Sequence, residues 1–173
     1  MTIEQKKELL LLLQEKQKRL VKKDYLEYCK YVHKDNYAVG KHIKMICTKV
    51  QQLVEGDLEQ NILILSIPPQ HGKTLTVTET LPSWFLGKYP NKRVIEVSYG
   101  DDLARAFGRR NKQKIEEHGK YLFDISLASN SRSDTEFEIS GKRGGMVSRG
   151  IMAGVTGKPA DLIIIDKLLG LSM

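Results

Sequence analysis

The chain has 173 residues, a length that is enough for one buried core. Hydrophobic residues make up 40% of it and charged residues 28%, which is typical of a globular protein. No apolar run reaches the roughly 18–20 residues of a membrane helix, and the first residues lack the layout of a signal peptide, so we expect a cytoplasmic protein that is not bound to a membrane. The formal net charge of +7 favours polyanionic partners such as nucleic acid, although an ordinary soluble protein with excess lysine would carry the same charge.

The first third of the chain has the periodicity of helices. Residues 3–23 form a charged segment with a leucine stripe, and residues 25–33 continue a helical spacing. After a polar loop, residues 41–55 place apolar side chains at i, i+3, i+4, i+7 and i+11, which is one face of a helix. The two cysteines fall in different predicted helices without metal-ligand spacing, so we expect buried free thiols. The two stripes consist of Leu9, Leu12, Leu13 and Leu20, and of Ile43, Ile46, Cys47, Val50 and Val54.

The next segments alternate between strand and helix patterns. Residues 62–67 are almost continuously apolar, which is typical of a parallel strand buried on both faces. Residues 75–86 have a helical pattern, which we expect Pro82 to kink or interrupt. Residues 93–98 are rich in β-branched side chains and predict a second strand.

A helix and a hairpin follow. Asp101 or Asp102 can cap a helix that runs to about His118. Residues 136–139 alternate glutamate with an apolar side chain, which predicts a half-buried strand, and residues 146–149 are its expected returning partner.

The last pattern is an apolar strand at residues 162–165 that ends at Asp166. The full order is then strand, helix, strand, helix, excursion and strand. This order is typical of an α/β fold with a parallel sheet.

Residues 67–74, with the sequence Ile-Pro-Pro-Gln-His-Gly-Lys-Thr, join the first predicted strand to its helix. In such a loop, backbone N–H groups bind phosphate oxygens, and Gly72 lets the backbone approach them closely. Lys73 would place its charge against the β and γ phosphates, and Thr74 would offer a hydroxyl to Mg²⁺. The common phosphate-loop pattern has glycine in place of Ile67, and Gly-Lys-Thr also occurs by chance at helix starts. The order of strand, loop and helix favours the phosphate loop.

Asp166 is a candidate metal ligand. In phosphate-loop ATPases an acidic residue at the tip of a buried strand holds Mg²⁺. A core strand that ends in a solvated aspartate is also common, so this motif alone does not indicate a metal site. The phosphate loop about 90 residues before it is what favours a metal ligand here.

Four segments, in order, resemble the N-terminal ATPase region of the large terminase subunit of tailed bacteriophages. The resemblance covers roughly residues 37–166, and the ordered set is more specific than any one motif. The segments are Tyr-Ala-Val-Gly-Lys-His at 37–42, Ile-Pro-Pro-Gln-His-Gly-Lys-Thr at 67–74, Ser-Tyr-Gly at 98–100 with Leu103, Ala104 and Phe-Gly-Arg at 107–109, and Gly-Val-Thr-Gly at 154–157 with Ala-Asp-Leu-Ile-Ile-Ile-Asp at 160–166.

The resemblance implies a fold and a site. The fold is a P-loop NTPase three-layer α/β sandwich with a mostly parallel sheet that is incomplete at its C-terminal side, spanning residues 37–173 after a helical segment at 1–36. ATP and Mg²⁺ are the implied cofactors, with Lys73 and Asp166 acting in catalysis and Thr74 and Asp166 holding the metal. The stretch at 37–42 lies near the adenine side in this family. The implied nucleotide-binding residues are His42, Pro69, Gln70, His71, Gly72, Lys73 and Thr74.

The implied function is an ATP-driven motor that pumps double-stranded viral DNA into a capsid in the bacterial cytoplasm. Its implied partners are the DNA, the small terminase subunit, the portal and further copies of the chain. The gene would belong to a phage or a prophage.

Three departures from the family pattern bear on activity. Gln70 stands where arginine is frequent, which removes one cationic contact but keeps a hydrogen-bond donor. Lys167 follows Asp166 where the family has a second carboxylate, and a protonated lysine cannot accept a proton from the attacking water. The sequence ends at Met173 without the remaining sheet strands or the nuclease domain of the family, so we expect a truncated reading frame.

Two alternatives to a working motor follow. One is a non-catalytic remnant that binds nucleotide or a packaging partner, which Lys167 favours. The other is a fragment of a helicase-like DNA translocase, which belongs to the same broad class of ATPases.

Overall fold

The computed structural model of the chain describes residues 1–131, 133–153, 157 and 159–166. These residues form an α/β structure in which short 3₁₀ turns at Lys34–Asn36 and Ile151–Ala153 and a π-helical turn at Ile115–Gly119 accompany the main elements. The helices are α1 (Ile3–Lys23), α2 (Tyr25–His33), α3 (Lys41–Glu55), α4 (Lys73–Thr76), α5 (Leu81–Lys88), α6 (Asp101–Lys114) and α7 (Lys120–Phe123). The strands are β1 (Arg93–Ser98), β2 (Glu136–Glu138), β3 (Gly145–Gly150) and β4 (Leu162–Asp166).

The four strands form one mixed sheet in the order β2-β3-β1-β4. β1 pairs in parallel with both β3 and β4, whereas β2 pairs antiparallel with β3. Ser98 at the end of β1 is in register with Gly150 on one side and with Asp166 on the other. The carboxyl ends of the three parallel strands therefore meet at one edge of the sheet, which is where ligands bind in open α/β sheets.

The predicted pattern of helices and strands is largely confirmed. α1, α2, α3, α6, β1, β4 and the β2–β3 hairpin lie where periodicity places them. α3 buries its predicted stripe on Ile43, Ile46, Cys47 and Val50, and Gly56 ends it in the left-handed conformation with φ 81°. Both cysteines are buried, as expected.

The N-terminal helices share a core with α5. The rings of Tyr25 and Trp84 lie 4.9 Å apart between centroids, and the Tyr28 hydroxyl donates to Ser83 Oγ at 2.8 Å. Tyr25 also donates through its hydroxyl to the carbonyl of Thr76, the last residue of α4. These contacts hold α5 and the end of α4 against α2.

The leucine stripe predicted for α1 is wrong as a packing face. Leu9 to Leu13 are all exposed, and Val21 is the buried residue of this helix. The reason is that α1 meets the rest of the chain near its end, where Lys18 lies over the ring of Tyr121 at 5.2 Å from its centroid.

The strand predicted at residues 62–67 is also wrong, since this segment pairs with no strand within the described residues. Leu63, Leu65 and Ile67 pack against the core, while Ile62 and Ile64 are 71% and 86% exposed. A strand needs a hydrogen-bonded neighbour, and β4 does not reach this segment. A groove of about 120 Å³ lies between them.

The groove leaves β4 as an edge strand in the described part of the chain. Ile163 and Ile165 on one of its faces are 59% and 58% exposed, so this face of the sheet is not covered at β4. Val50, Leu53, Leu65 and Leu81 are among the apolar residues that line the groove.

The helix predicted at residues 75–86 is interrupted, as expected from Pro82. α4 ends at Thr76, and Pro82 lies in the first turn of α5, where no N–H is needed.

The predicted side-chain cap of α6 is wrong. Neither Asp101 nor Asp102 caps α6, whose N-cap is Gly100. Asp101 instead accepts a hydrogen bond from the Gly150 amide at 3.0 Å, which ties the start of α6 to the end of β3.

Candidate phosphate and metal site

The loop at residues 68–72 has a backbone that residues with large side chains rarely adopt. Gly72 has φ 78°, and a Cβ added there would lie 3.0 Å from the Cδ1 of Ile43. Gln70 has φ 62°, a left-handed conformation that costs a non-glycine residue about 1–2 kcal/mol. Strain of this kind persists where the surrounding structure fixes it, and it clusters at ligand sites.

Two histidines brace this loop. His71 Nδ1 lies 2.7 Å from the carbonyl oxygen of Pro69, and His42 Nε2 lies 3.2 Å from the carbonyl oxygen of His71. The two rings are 5.9 Å apart between centroids. The start of α3 is therefore connected to the loop, and the predicted nucleotide-binding residues His42, Pro69, Gln70 and His71 lie together on an exposed surface.

Asp166 meets the start of α4 at the carboxyl end of β4. Thr74 Oγ1 and Thr78 Oγ1 each donate to Asp166 Oδ2 at 3.0 Å, and Lys73 Nζ lies 3.1 Å from Asp166 Oδ1. Asp166 itself is buried. Burial alone would raise the pKa of its carboxyl, but the Lys73 ammonium and the two threonine hydroxyls hold the pKa below its usual value.

This donor set fits Mg²⁺. A carboxylate and a hydroxyl are the hard oxygen ligands that Mg²⁺ prefers, and Asp166 and Thr74 already face each other. Mg²⁺ usually takes one or two protein oxygens and completes its shell with water and substrate phosphate. Lys73 supplies the cation that a terminal phosphate needs at the same place.

Thr78 and Glu96 were not singled out by sequence reasoning. Thr78 lies in the helical pattern after the loop, and nothing in the sequence around it indicates a contact with Asp166. Glu96 is recognisable in the sequence, because it is a charged residue inside the apolar strand β1. It is fully buried, and burial raises its pKa to about 7.

One motif that carries the family resemblance reaches beyond the described residues, since residues 154–156 of the glycine-rich segment lie outside them. Lys167, the expected departure from the family pattern, also lies outside them. The part of the chain that the structure describes contains no helix both long and apolar enough to cross a bilayer.

The family comparison agrees with the resemblance. The model of the family described as "Terminase large subunit, T4likevirus-type, N-terminal" matches residues 64–170, which is more than half of the chain and includes the whole loop, α4 and Asp166. No curated protein and no solved structure matches the chain. The chain therefore belongs to the N-terminal family of T4-like terminase large subunits, which indicates a role in DNA packaging with DNA and packaging proteins as its partners in general.

Proposed function

We propose that the chain binds ATP with Mg²⁺ at Lys73, Thr74 and Asp166, and that it is the nucleotide-binding part of a motor that drives double-stranded DNA into a capsid. The observation that carries the proposal is the contact of 3.0 Å between Thr74 Oγ1 and Asp166 Oδ2, two residues 92 positions apart in the chain. The contact brings the hydroxyl that follows the loop lysine to the buried aspartate at the tip of β4, which is the pair of oxygen ligands that a Mg²⁺ site in a phosphate-loop ATPase requires.

The loop supports a polyphosphate ligand. Gly72 supplies the left-handed backbone conformation of the loop just before α4, and Lys73 holds its ammonium beside Asp166 at the start of that helix. A bound Mg²⁺ would neutralise the charge between the β and γ phosphates. Thr74 and Asp166 would hold it, and Lys73 would move from Asp166 toward the terminal phosphate.

The order of elements supports a P-loop NTPase fold. The loop precedes α4, and the next parallel strands β1, β3 and β4 bring Asp166 back to it. Family membership supports a small terminase subunit and a portal as the specific partners.

The first experiment measures binding of a fluorescent ATP analogue with Mg²⁺ to the wild-type chain, to Lys73→Ala and to Lys49→Ala. Lys49 lies on the exposed side of α3 and is the matched control for the loss of one lysine charge. We expect Lys73→Ala to bind at least about tenfold more weakly, since a hydrogen bond from a charged group contributes about 1.5–3 kcal/mol. Equal binding by both variants would exclude this site.

A phosphate-release assay separates the motor from its alternatives. Turnover stimulated by duplex DNA supports a translocating ATPase. Binding that depends on Lys73 without any turnover supports the non-catalytic alternative, in which Lys167 replaces the carboxylate that would orient the attacking water. Unwinding of a forked duplex would instead support the helicase-like translocase.

A further inference from the structure

Glu96 is the buried carboxyl group next to the candidate site. It lies in the middle of β1, in register with Ser148 of β3 and Ile164 of β4, and its side chain is 0% exposed. Its Oε1 has no hydrogen-bond partner in the described part of the chain. A carboxylate in such a place would be an uncompensated buried charge, which proteins avoid by neutralising the group.

The hydrogen bonds around Ser148 show where a proton must be. Ser148 Oγ contacts Glu96 Oε2, and it also lies 2.7 Å from the carbonyl oxygen of Ala104 in α6. A serine hydroxyl has one proton and a carbonyl oxygen can only accept. If Ser148 donates to Ala104, the proton between Ser148 and Glu96 has to come from Glu96. Both contacts are hydrogen bonds at once only when the carboxyl is protonated.

We propose that Glu96 is a neutral carboxylic acid that acts as a positioning residue, because its proton completes a chain from Glu96 through Ser148 to the backbone of α6. The chain joins β1, β3 and α6 beside the carboxyl edge of the sheet. It works together with the contact between Asp101 and the Gly150 amide, which fixes the start of the same helix to the same strand. The neutral state of Glu96 also leaves Asp166 as the charged carboxylate on this face.

The groups that face Glu96 explain what its ionisation would do. From β4 it faces Asp166, which Lys73 of α4 pairs; from β3 it faces the Ser148 hydroxyl, and Ser98 lies next to it on β1. An ionised Glu96 would draw the Ser148 proton away from Ala104 and would put a second negative charge near Asp166. Both effects oppose the binding of an anionic polyphosphate, a consequence that rests on the proposed function.

The direct test is infrared spectroscopy of the purified chain, in which a protonated carboxyl gives a carbonyl-stretch band separate from those of carboxylates. We expect a band at pH 6 that is absent in Glu96→Gln and present in Glu138→Gln, a control at an exposed glutamate of β2. In Ser148→Ala the band should shift, because the acid loses its acceptor. Absence of the band in the wild type, or its presence in Glu96→Gln, overturns the proposal.

The second test is thermal unfolding between pH 5 and pH 8. The wild type should lose stability across this range relative to Glu96→Gln, whose amide can still donate to Ser148 and does not titrate. Parallel profiles of the two proteins overturn the proposal.

The affinity for nucleotide with Mg²⁺ adds a test at the site itself. The wild type should bind several-fold more weakly at pH 8.5 than at pH 6, and Glu96→Gln should lack that part of the change. Equal pH dependence of affinity in the two proteins overturns the link between Glu96 and the site. If neither protein binds nucleotide, the proposed function fails, and the infrared and unfolding tests still decide whether Glu96 holds its proton.

Discussion

Lys73 and Asp166 form an ion pair across the candidate site, with Nζ of the lysine 3.1 Å from Oδ1 of the aspartate. The lysine side chain is about one-third exposed, whereas the aspartate side chain is 3% exposed. The pair therefore joins a buried anion to a cation that can reach solvent. A phosphate that bound at the loop would compete with Asp166 for the Lys73 ammonium.

This pair predicts opposite effects of Asp166→Asn with and without Mg²⁺. Without the metal, ATP should bind more tightly to the variant, because the carboxylate no longer holds Lys73 and no longer repels phosphate. Addition of Mg²⁺ should raise the ATP affinity of the variant only a little, since the variant has lost a charged metal ligand. Isothermal titration of ATP in EDTA and in Mg²⁺ measures both effects.

Asp57→Asn is the matched control for Asp166→Asn, since it removes one carboxylate from an exposed position after α3. It should bind like the wild type under both conditions. If Asp166→Asn keeps the full gain from Mg²⁺, Asp166 is not a metal ligand.

Gly72→Ala should destabilise the chain and weaken nucleotide binding. An alanine at this position would have an unfavourable φ of 78°, and its Cβ would lie 3.0 Å from Cδ1 of Ile43. The backbone alone costs about 1–2 kcal/mol in this conformation. Gly56→Ala is the control, because Gly56 has φ 81° but open space around its Cβ position. Thermal unfolding of the two variants then separates backbone strain from contact.

Ile43→Val removes the atom that the new Cβ would meet. Combined with Gly72→Ala, it should recover the part of the loss that comes from contact and leave the backbone part. A double variant no more stable than expected from the two single losses added together would show that the contact with Ile43 carries no cost.

The environment of His33 predicts that the folded chain loses stability in acid. Its Nε2 lies 2.8 Å from Thr80 Oγ1, and Thr80 donates its own proton to the Leu75 carbonyl, so His33 is the donor. Burial, followed by the nearby charge of Lys114, lowers the pKa of His33 to about 4. The unfolded chain therefore binds a proton at higher pH than the folded chain, and stability is lost as the pH falls from about 6.5 through 4.

Chemical unfolding at pH 7.5 and pH 4.5 tests this effect with His33→Gln, whose amide can donate to Thr80 without titrating. Because the ring is only half-buried, we expect a difference on the order of 1 kcal/mol between the pH sensitivities of the two proteins. If the two proteins lose the same stability in acid, His33 does not contribute to it.

The helices and most strands follow from periodicity because their signals are local. α3 shows this best, since its apolar stripe is the stripe that is buried. The segment at residues 62–67 shows the limit. Its apolar run satisfies every local criterion for a strand, but pairing depends on a neighbour that lies far away in the sequence. The leucines of α1 fail for a related reason, because composition does not say which end of a helix meets the core.

The candidate site also has residues that the sequence predicts and residues that it does not. Short motifs predict the loop and Asp166, and the order of the parallel strands explains why they meet. The contacts of Thr78 and Glu96 depend on how α4 and α6 lie on the sheet, which no local pattern describes. A charged residue inside an apolar strand is nevertheless a usable signal, and Glu96 is an example.

The position of Asp166 has one more consequence. It is the last residue of β4, and in the described part of the chain only one side of β4 is paired, with β1. Unpaired strand edges recruit extended segments of other chains. A segment that paired there would change the position of β4 and with it the distance between Asp166 and Thr74. Under the proposed function, self-association through this edge would be thermodynamically linked to nucleotide binding, and the nucleotide affinity of a preparation would then vary with its protein concentration.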